Sequence, residues 1–402
     1  MPPSSNFPVR SPLSLYEWTL ERQDQPELAM FFYNQFPVYS LFFPACSPGA
    51  LFKFARTCQA AHCSVQSWMA KAYAINPHLS RFFFDPVRFR NLQARTGSLI
   101  SGSNALQFLD RTFYENSDLD LYVHSVHAIE VGIHLMKMEG YVYLGGHASL
   151  LPASGTTDTD EFMVDEMEAR ETLYSAGAIH DVLRFMRPGP NGSRLNLQLI
   201  LTITSCFETV MRFHSTCVMN LISWDYAVAL YPRATFELSI NQRCHIIPFS
   251  LFPSEIARAE SDATAAIEKY RARGKVDIPW SEREESKLAF FEGVHRYVGD
   301  NFCWTLPLDT TGIKPWRSEP RSPPRLTPDL VFNNGWTMVV HQERMTPAYS
   351  VLTSPLLKYN YICPSESIRN VWVTVLRRMT EYSGQSPPFW PDASDLHARG
   401  TE

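Results

Sequence analysis

The chain has 402 residues, which is longer than one hydrophobic core usually organises, so two or three packed units are expected. A hydrophobic content of 45% with 13% aromatic residues is typical of a globular protein and excludes a largely disordered one. The net charge of −5 argues against broad, sequence-independent binding to nucleic acid, because such binding needs many Lys and Arg contacts to phosphate.

Residues 1–25 are predicted to be a flexible tail. The first dozen are rich in Pro and Ser, and they lack both the apolar core of a signal peptide and the Arg-rich pattern of a transit peptide. Apolar runs such as Leu41-Phe42-Phe43 are broken at once by Pro44, so no membrane span is predicted. The expected compartment is the cytoplasm or the nucleus, where the eight cysteines would be reduced thiols.

Residues 26–95 are predicted to form a helical segment. Leu51, Phe54 and Cys58 recur at helical spacing, and Ser47 followed by Pro48 is a typical start of a helix. We expect these apolar residues to form one stripe along the helix.

The helical segment resembles an F-box, the short motif that docks onto the Skp-type linker subunit of cullin-based ubiquitin ligases. The resemblance rests on Phe36-Pro37, on Ser47-Pro48 and on the run from Leu51 to Cys58. It implies that Leu51, Phe54 and their apolar neighbours form a partly exposed patch for a partner helix. The alternative is an ordinary helical cap on the domain that follows.

Residues 96–235 show a pattern of strand, tight turn, helix and strand. The apolar residues before Gly102 predict a buried strand, and the run from Asn104 to Tyr114 predicts a helix. In "SDLDLYV" the residues alternate strictly, so Asp118 and Asp120 are expected on the same face of a strand.

The later part of the chain contains further predicted elements. The turn residues from Pro188 to Gly192 predict a hairpin, and the apolar run from Cys206 to Pro232 predicts a helix. Residues 236–402 form a C-terminal helical and mixed region. Its predicted elements are a helix from Ser254 to Arg273, strands near Leu330 to Gln342 and a last helix from Ser367 to Tyr382.

The Gly102-Ser103 turn and the two aspartates have the chemistry of a nucleotide site. Two carboxylates two residues apart on a strand project the same way and can hold Mg²⁺ against the phosphates of a nucleotide. A Gly-Ser turn lets backbone N–H groups and a hydroxyl approach a phosphate, and the helix that starts there adds its positive dipole end. The predicted metal ligands are Asp118 and Asp120, and the predicted nucleotide-binding residues are Gly102 and Ser103.

This combination resembles the nucleotidyltransferase superfamily of the DNA polymerase β type. The pattern stands here as Ile100-Ser101-Gly102-Ser103 followed by Asp118-Leu119-Asp120-Leu121. From Leu51 to Phe236 the chain also resembles uncharacterised fungal proteins that join an F-box-like start to a nucleotidyltransferase-like domain. The resemblance implies an α+β fold, with a helical N-terminal segment and a small mixed sheet flanked by helices. It also implies binding of a nucleoside triphosphate with Mg²⁺, and Asp118 and Asp120 as catalytic residues.

The superfamily adds a third carboxylate on a later strand, and the sequence has no acid at the corresponding place. Asn196 and Gln198 lie on the polar face of that predicted strand. An amide can ligate magnesium, but it cannot supply negative charge or accept a proton. Asp181, on the partner strand of the hairpin, could take this role only if the strand register brings it to the same face.

A second possible source of chemistry is the segment "FHSTCVMN", which places His214, Ser215 and Cys217 close together. They could act as a base and a nucleophile, or they could be core residues near a nucleotide. The sequence therefore leaves three functions open: an active nucleotidyltransferase, a degenerate nucleotide-binding protein, and an F-box-like adaptor.

Overall fold

The computed structural model describes residues 39, 41–115, 117–146, 179–189, 192–244, 253–277, 295–314, 329–341 and 344–383. The chain divides into two compact units between Ala72 and Tyr73. The predicted tail, residues 1–25, lies outside the described residues, and so does the Phe36-Pro37 pair.

The first unit contains α1 (Pro48–Ala55) and α2 (Gln59–Ala72). α1 begins as predicted, because the Ser47 side chain accepts a hydrogen bond from the Ala50 N–H at 3.2 Å and Pro48 occupies the first helical position. The core of the first unit includes an aromatic cluster in which neighbouring ring centroids lie 5.2 to 6.3 Å apart. The cluster consists of Tyr39, Phe43, Phe54 and Trp68.

The second unit alternates helices and strands. Its elements are α3 (Ile75–Leu79), α4 (Pro86–Thr96), β1 (Leu99–Ser101), α5 (Gly102–Asp110), β2 (Leu119–His124), α6 (Ala128–Lys137), β3 (Val142–Gly145), β4 (Ile179–Pro188), β5 (Arg194–Thr202), α7 (Cys206–Met211), β6 (Asn220–Ile222), β7 (Tyr226–Ala229), β8 (Ile240–Asn241), α8 (Pro253–Ala272), β9 (Val276–Asp277), β10 (His295–Tyr297), β11 (Trp304–Pro307), β12 (Gly335–His341), β13 (Arg344–Ala348), β14 (Ser350–Leu352), β15 (Tyr361–Cys363) and α9 (Glu366–Ser383).

Eight of these strands form one mixed sheet in the order β11-β7-β6-β1-β2-β5-β4-β3. β2 and β5 run parallel, and every other neighbouring pair in the sheet is antiparallel. The α+β class with a mixed sheet is therefore confirmed. The sheet is larger than the small one expected, because β6 and β7 extend it where a helix was predicted, and β11 joins it from the C-terminal region by pairing with β7.

The two faces of the sheet differ in what covers them. Leu121 and Leu199 are cross-strand partners on one face and are fully buried. On that face Arg187 of β4 donates to the carbonyl of Glu139, two residues beyond the end of α6, at 3.0 Å. Tyr122 and Ile200 project to the opposite face and pack in the core beside α7.

The stretch from Cys206 to Pro232 corrects the prediction of a helix. Within this stretch only α7 is an α-helix, and the strands β6 and β7 follow it. The two strands are joined by a turn in which Ser223 Oγ donates to Asp225 Oδ1 at 2.8 Å. Nearly every residue of β6 and β7 is buried, and an apolar run without alternation does not separate a buried strand from a buried helix.

Other predicted elements are confirmed. α8 and α9 match the helices predicted from Ser254 and Ser367, β12 lies within the predicted strand region, and β4 and β5 form the predicted hairpin. Within the described ranges, no helix is long and apolar enough to cross a membrane.

Candidate functional site

Asp118 and Asp120 stand at the beginning of β2 on the same side of the sheet. Asp118 directly precedes the strand, and Asp120 pairs with Ser101 of β1 and Gln198 of β5. Leu119, between them, is fully buried, and successive side chains of a strand point to opposite faces. The alternation predicted for this segment is therefore confirmed.

The turn after β1 brings Gly102 directly against Asp120. Gly102 has φ +66°, and a Cβ built on it would lie 2.5 Å from Oδ2 of Asp120. Any side chain here would have to displace the carboxylate, and the left-handed conformation independently favours glycine. Gly102 is thus the residue that lets the first turn of α5 approach the carboxylate.

Ser103 follows Gly102 and is almost completely buried, at 4% exposed. Its Oγ lies 3.1 Å from Oγ of Ser117, and the Tyr270 hydroxyl is within hydrogen-bonding reach of its side chain. The Gln107 amide donates to the Ser103 carbonyl and to Oγ of Ser117. These contacts fix the turn in place beside Asp120.

Two amides from β5 occupy the position that the resemblance assigns to a third carboxylate. Asn196 Nδ2 donates to Oδ1 of Asp118 at 3.2 Å, and Gln198 Nε2 donates to Oδ2 at 3.4 Å. The parallel pairing of β2 with β5 sets this arrangement, because Asp120 is the partner of Gln198. Both oxygens of Asp118 therefore accept from neutral amides.

Asp181 lies on the opposite face of the sheet. It pairs with Leu201 across the hairpin, after a bulge that follows Ile179. Leu201 shares its face with the buried Leu199, whereas Gln198 points the other way. Asp181 is 1% exposed, and its Oδ1 accepts from the Val182 N–H at 2.7 Å. The register therefore removes Asp181 as a replacement for the third carboxylate.

The available ligand set is two carboxylates and two amides. In the part of the chain that the structure describes, no group of three or more His, Cys, Asp or Glu side chains is arranged to hold a metal ion. Oxygen atoms of carboxylates and amides suit Mg²⁺, which commonly keeps several water ligands. Asn196 and Gln198 now direct their N–H groups at Asp118, so each amide would have to turn over to offer its oxygen.

Asp120 is electrostatically unusual. Burial raises its pKa to about 7, the negative charge of Asp118 acts in the same direction, and the positive charge of Lys269 opposes the rise. The carboxyl therefore holds a proton at a higher pH than an ordinary aspartate does. A cation that binds there would displace the proton.

Sequence reasoning missed three side chains at and just beyond the end of α8, namely Lys269, Tyr270 and Arg273. Lys269 is exposed, and its charge acts on both Asp120 and His214. Tyr270 is 5% exposed and contacts the buried Ser103 turn. No local signal in the sequence marks these residues, because only the tertiary fold brings α8 to the start of β2.

Arg273 extends the positive charge beyond Lys269. Its Cζ lies 3.8 Å from the ring centroid of Tyr114 and 5.4 Å from that of Tyr270. Its Nη1 is buried and makes no hydrogen bond to another described residue. Because Nη1 is buried, it is not accessible to a ligand, and the guanidinium contributes positive charge to this region.

His214 is neutral at physiological pH. Burial lowers its pKa to about 4, and the charges of Lys269 and Arg243 act in the same direction. Its Nε2 is buried without a hydrogen-bond partner among the described residues. Burial also raises the pKa of Cys217 to about 12, so this thiol is not a nucleophile at neutral pH.

Comparison of the chain with protein-family models, with curated proteins and with solved structures finds no match. The resemblance to nucleotidyltransferases therefore rests on the motif residues of the sequence alone.

Proposed function

We propose that the protein binds a nucleoside triphosphate together with Mg²⁺ at Asp118 and Asp120, and that nucleotidyl transfer is slow or absent. The observation that supports binding is the placement of both carboxylates on one face of β2, against Gly102 at the first turn of α5. Asp118 and Asp120 would hold the metal ion, and the Gly102-Ser103 turn would approach the phosphates.

The charges around the site suit one magnesium ion bridged to a triphosphate. Magnesium often takes only one or two protein carboxylates and completes its coordination with phosphate oxygens and water. Lys269 lies close enough to influence Asp120, and Arg273 is linked to the same turn through Tyr270. Both cations would offset the charge of the phosphates.

The amides of β5 support slow or absent transfer. Two-metal sites hold their ions roughly 3.5–4 Å apart and need negative charge to do so. Asn196 and Gln198 are neutral, and they cannot accept a proton from an attacking hydroxyl. One ion bound through the nucleotide remains compatible with the site, whereas a second ion lacks a charged ligand.

The test is titration of the full chain with each of the four ribonucleoside triphosphates, with and without Mg²⁺ or Mn²⁺. Thermal shift and calorimetry measure the binding. We expect stabilisation that needs both nucleotide and metal, since a ligand that binds only the folded state raises its stability. Asp118→Ala should abolish the effect, and Asn196→Asp should tighten metal binding. Asp262→Ala, at an exposed position of α8, is the control.

Two results would overturn this proposal. Binding of no nucleotide at millimolar concentration, with or without metal, would remove the nucleotide site. Robust transfer of a nucleotide by the wild-type chain would show that the two amides do not limit catalysis.

A second candidate function is docking of a Skp-type linker by the first unit, and exposed apolar side chains favour it. Leu41 is 77% exposed, Phe42 59% and Phe52 40%. Leu51, which was expected in the exposed patch, is buried instead, and Phe54 packs within the aromatic cluster. Large apolar side chains exposed to water mark interaction surfaces where they lie together, and Leu41 and Phe42 are neighbours in the chain.

Copurification with a Skp-type linker tests this second function. We expect wild-type chain to retain the linker, Phe52→Asp to lose it, and Lys71→Asp, at an exposed position of α2, to retain it. Failure of the wild-type chain to bind, or binding unchanged by Phe52→Asp, would remove the docking function.

A further inference from the structure

The helix α9 has two apolar faces, and the second unit covers only one of them. Leu376 is buried and Val373 is half-buried, and both belong to a small core around Leu352 and Tyr361. Five other large apolar side chains of α9 are each between 39% and 63% exposed. These side chains are Ile368, Val371, Trp372, Val375 and Met379.

The five exposed side chains form one continuous stripe along α9, called here the α9 stripe. Residues three or four positions apart lie on the same face of an α-helix. From Ile368 the stripe continues in steps of four, three and four residues to Met379, and Val371 adjoins it. Alternating steps of three and four residues are the spacing of the apolar seam between two paired helices. The α9 stripe therefore has the pattern of a surface that packs against another helix.

The charged side chains of α9 lie outside the stripe. Those between positions 366 and 379 are Glu366, Arg369, Arg377 and Arg378. An α-helix turns by about 100° per residue, which places all four on other faces or, for Arg378, at the edge of the stripe. An identical stripe can therefore pack against this one without bringing like charges together in the seam. The seam itself offers no charge that would select an acidic or a basic partner.

The exposed area of the α9 stripe is sufficient for a weak dimer. A large apolar side chain has roughly 200 Å² of surface, so the exposed fractions of the five leave about 500 Å² on one copy. Apolar patches of this size on soluble proteins are often functional. Pairing of two copies would bury about 1,000 Å² in total, which is the lower limit for a specific protein–protein interface.

We propose that α9 is a dimerisation helix, and that its stripe packs against the same stripe of a second copy of this chain around a two-fold axis. In a two-fold dimer both copies use the same surface, so each stripe covers the other and neither is left exposed to water. Trp372 and Val375 lie in the middle of the stripe, where an interface gains most of its binding energy. The dimer needs neither nucleotide nor metal, because the stripe includes no residue of the candidate nucleotide site.

Sedimentation velocity of the full chain over a range of concentrations tests the proposal. We expect a concentration-dependent shift from the mass of one chain to that of two. The dissociation constant should lie in the micromolar range, because a small interface must also offset the loss of translational and rotational freedom. Asp118→Ala should dimerise like the wild-type chain, since Asp118 lies at the start of β2 and not on α9.

Variants on opposite faces of α9 separate pairing through the stripe from other association. Trp372→Glu should weaken dimerisation by about tenfold or more, because it places a carboxylate in an apolar seam. Asn370→Glu is the matched control: it adds the same charge at an exposed position on another face of α9, and it should dimerise like the wild-type chain. Val375→Glu tests the same seam and remains informative if Trp372→Glu unfolds. Circular dichroism establishes which variants are folded.

A full chain that stays monomeric at high micromolar concentration would overturn the proposal, and so would dimerisation that is unchanged in folded Trp372→Glu and Val375→Glu chains. A chain that ends after Ser383 keeps α9 whole and should dimerise like the full chain. If the shorter chain dimerised and the full chain did not, the occupant of the stripe would be the segment after α9 and not a second copy.

Discussion

At the scale of single residues, Asp120 joins two features that oppose its ionisation. It is half-buried at the start of β2, and the carboxylate of Asp118 is a close negative neighbour. Its pKa of about 7 lies above the value of 3.8 expected in an unfolded chain, so the folded state binds this proton more tightly. The stability that Asp120 contributes is therefore present at low pH, and it is lost as the pH rises from about 4 through about 7.

Replacement of Asp120 by Asn should stabilise the metal-free chain more at pH 8 than at pH 5. The variant removes a charge that burial and Asp118 disfavour, and we expect a gain of about 1–2 kcal/mol at pH 8, since one pKa unit corresponds to about 1.4 kcal/mol. Thermal denaturation at both pH values is the measurement. Mg²⁺ with nucleotide should stabilise the wild-type chain at pH 8 but not this variant.

An equal loss of stability for Asp120→Asn at pH 5 and pH 8 would contradict this argument. It would show that hydrogen bonds absent from the structure stabilise the ionised carboxylate, so that burial and Asp118 do not destabilise it.

At the scale of secondary-structure elements, local patterns predicted one half of the candidate site. Strict alternation placed Asp118 and Asp120 on one face of β2, and the Gly102-Ser103 pair marked the turn before α5. Neither signal requires knowledge of distant parts of the chain. The positions of Asn196 and Gln198 could also be anticipated, because a strand has a fixed period of two.

The other half of the site depends on tertiary packing. The opposite orientation of Asp181 follows from the register of the hairpin and from the bulge after Ile179, which the sequence does not specify. Lys269 and Tyr270 approach the turn only because α8 packs beside it. Tertiary packing also explains the wrong prediction of a helix at β6 and β7. Because both faces of these strands are buried, they lack the alternation by which strands are recognised.

Because α8 contributes charge to the site, Lys269→Gln should weaken nucleotide binding by about tenfold, the effect of losing one charge-assisted hydrogen bond to phosphate. Lys269 is exposed, so the fold should be retained. The pKa of Asp120 should rise further, because the charge of Lys269 now lowers it. Calorimetry with nucleotide and Mg²⁺ measures the first effect, and carboxyl titration followed by NMR measures the second.

Glu268→Gln is the matched control for Lys269→Gln. It lies one position earlier on α8 and removes only an exposed ion pair with Arg271, in which the side chains are 58% and 52% exposed. Unchanged nucleotide affinity in Lys269→Gln would exclude this lysine from the phosphate site.

At the scale of the whole molecule, the core of the second unit contains residues from both ends of that unit's sequence. β11 supplies an edge strand to β7, and the fully buried Trp336 of β12 donates from Nε1 to the Tyr231 hydroxyl at 3.2 Å. Arg296 is also buried, pairs with Asp300 at 2.5 Å and donates to the Leu230 carbonyl at 3.0 Å. The sheet that carries Asp118 and Asp120 is therefore completed by residues beyond 290.

A chain that ends after Cys244 should fail to fold cooperatively. It would leave β7 with an unpaired edge and would expose the core around Tyr231, and loss of a buried tryptophan side chain alone costs about 3–5 kcal/mol, a large part of the stability of a typical domain. For the shorter chain, circular dichroism during heating should show a broad, low-amplitude transition, and limited proteolysis should degrade it. The control is a chain that ends after Ser383, which keeps every described element and should melt like the full chain. A sharp transition with native secondary structure in the shorter chain would show instead that the sheet from β1 to β7 is stable without its C-terminal partners.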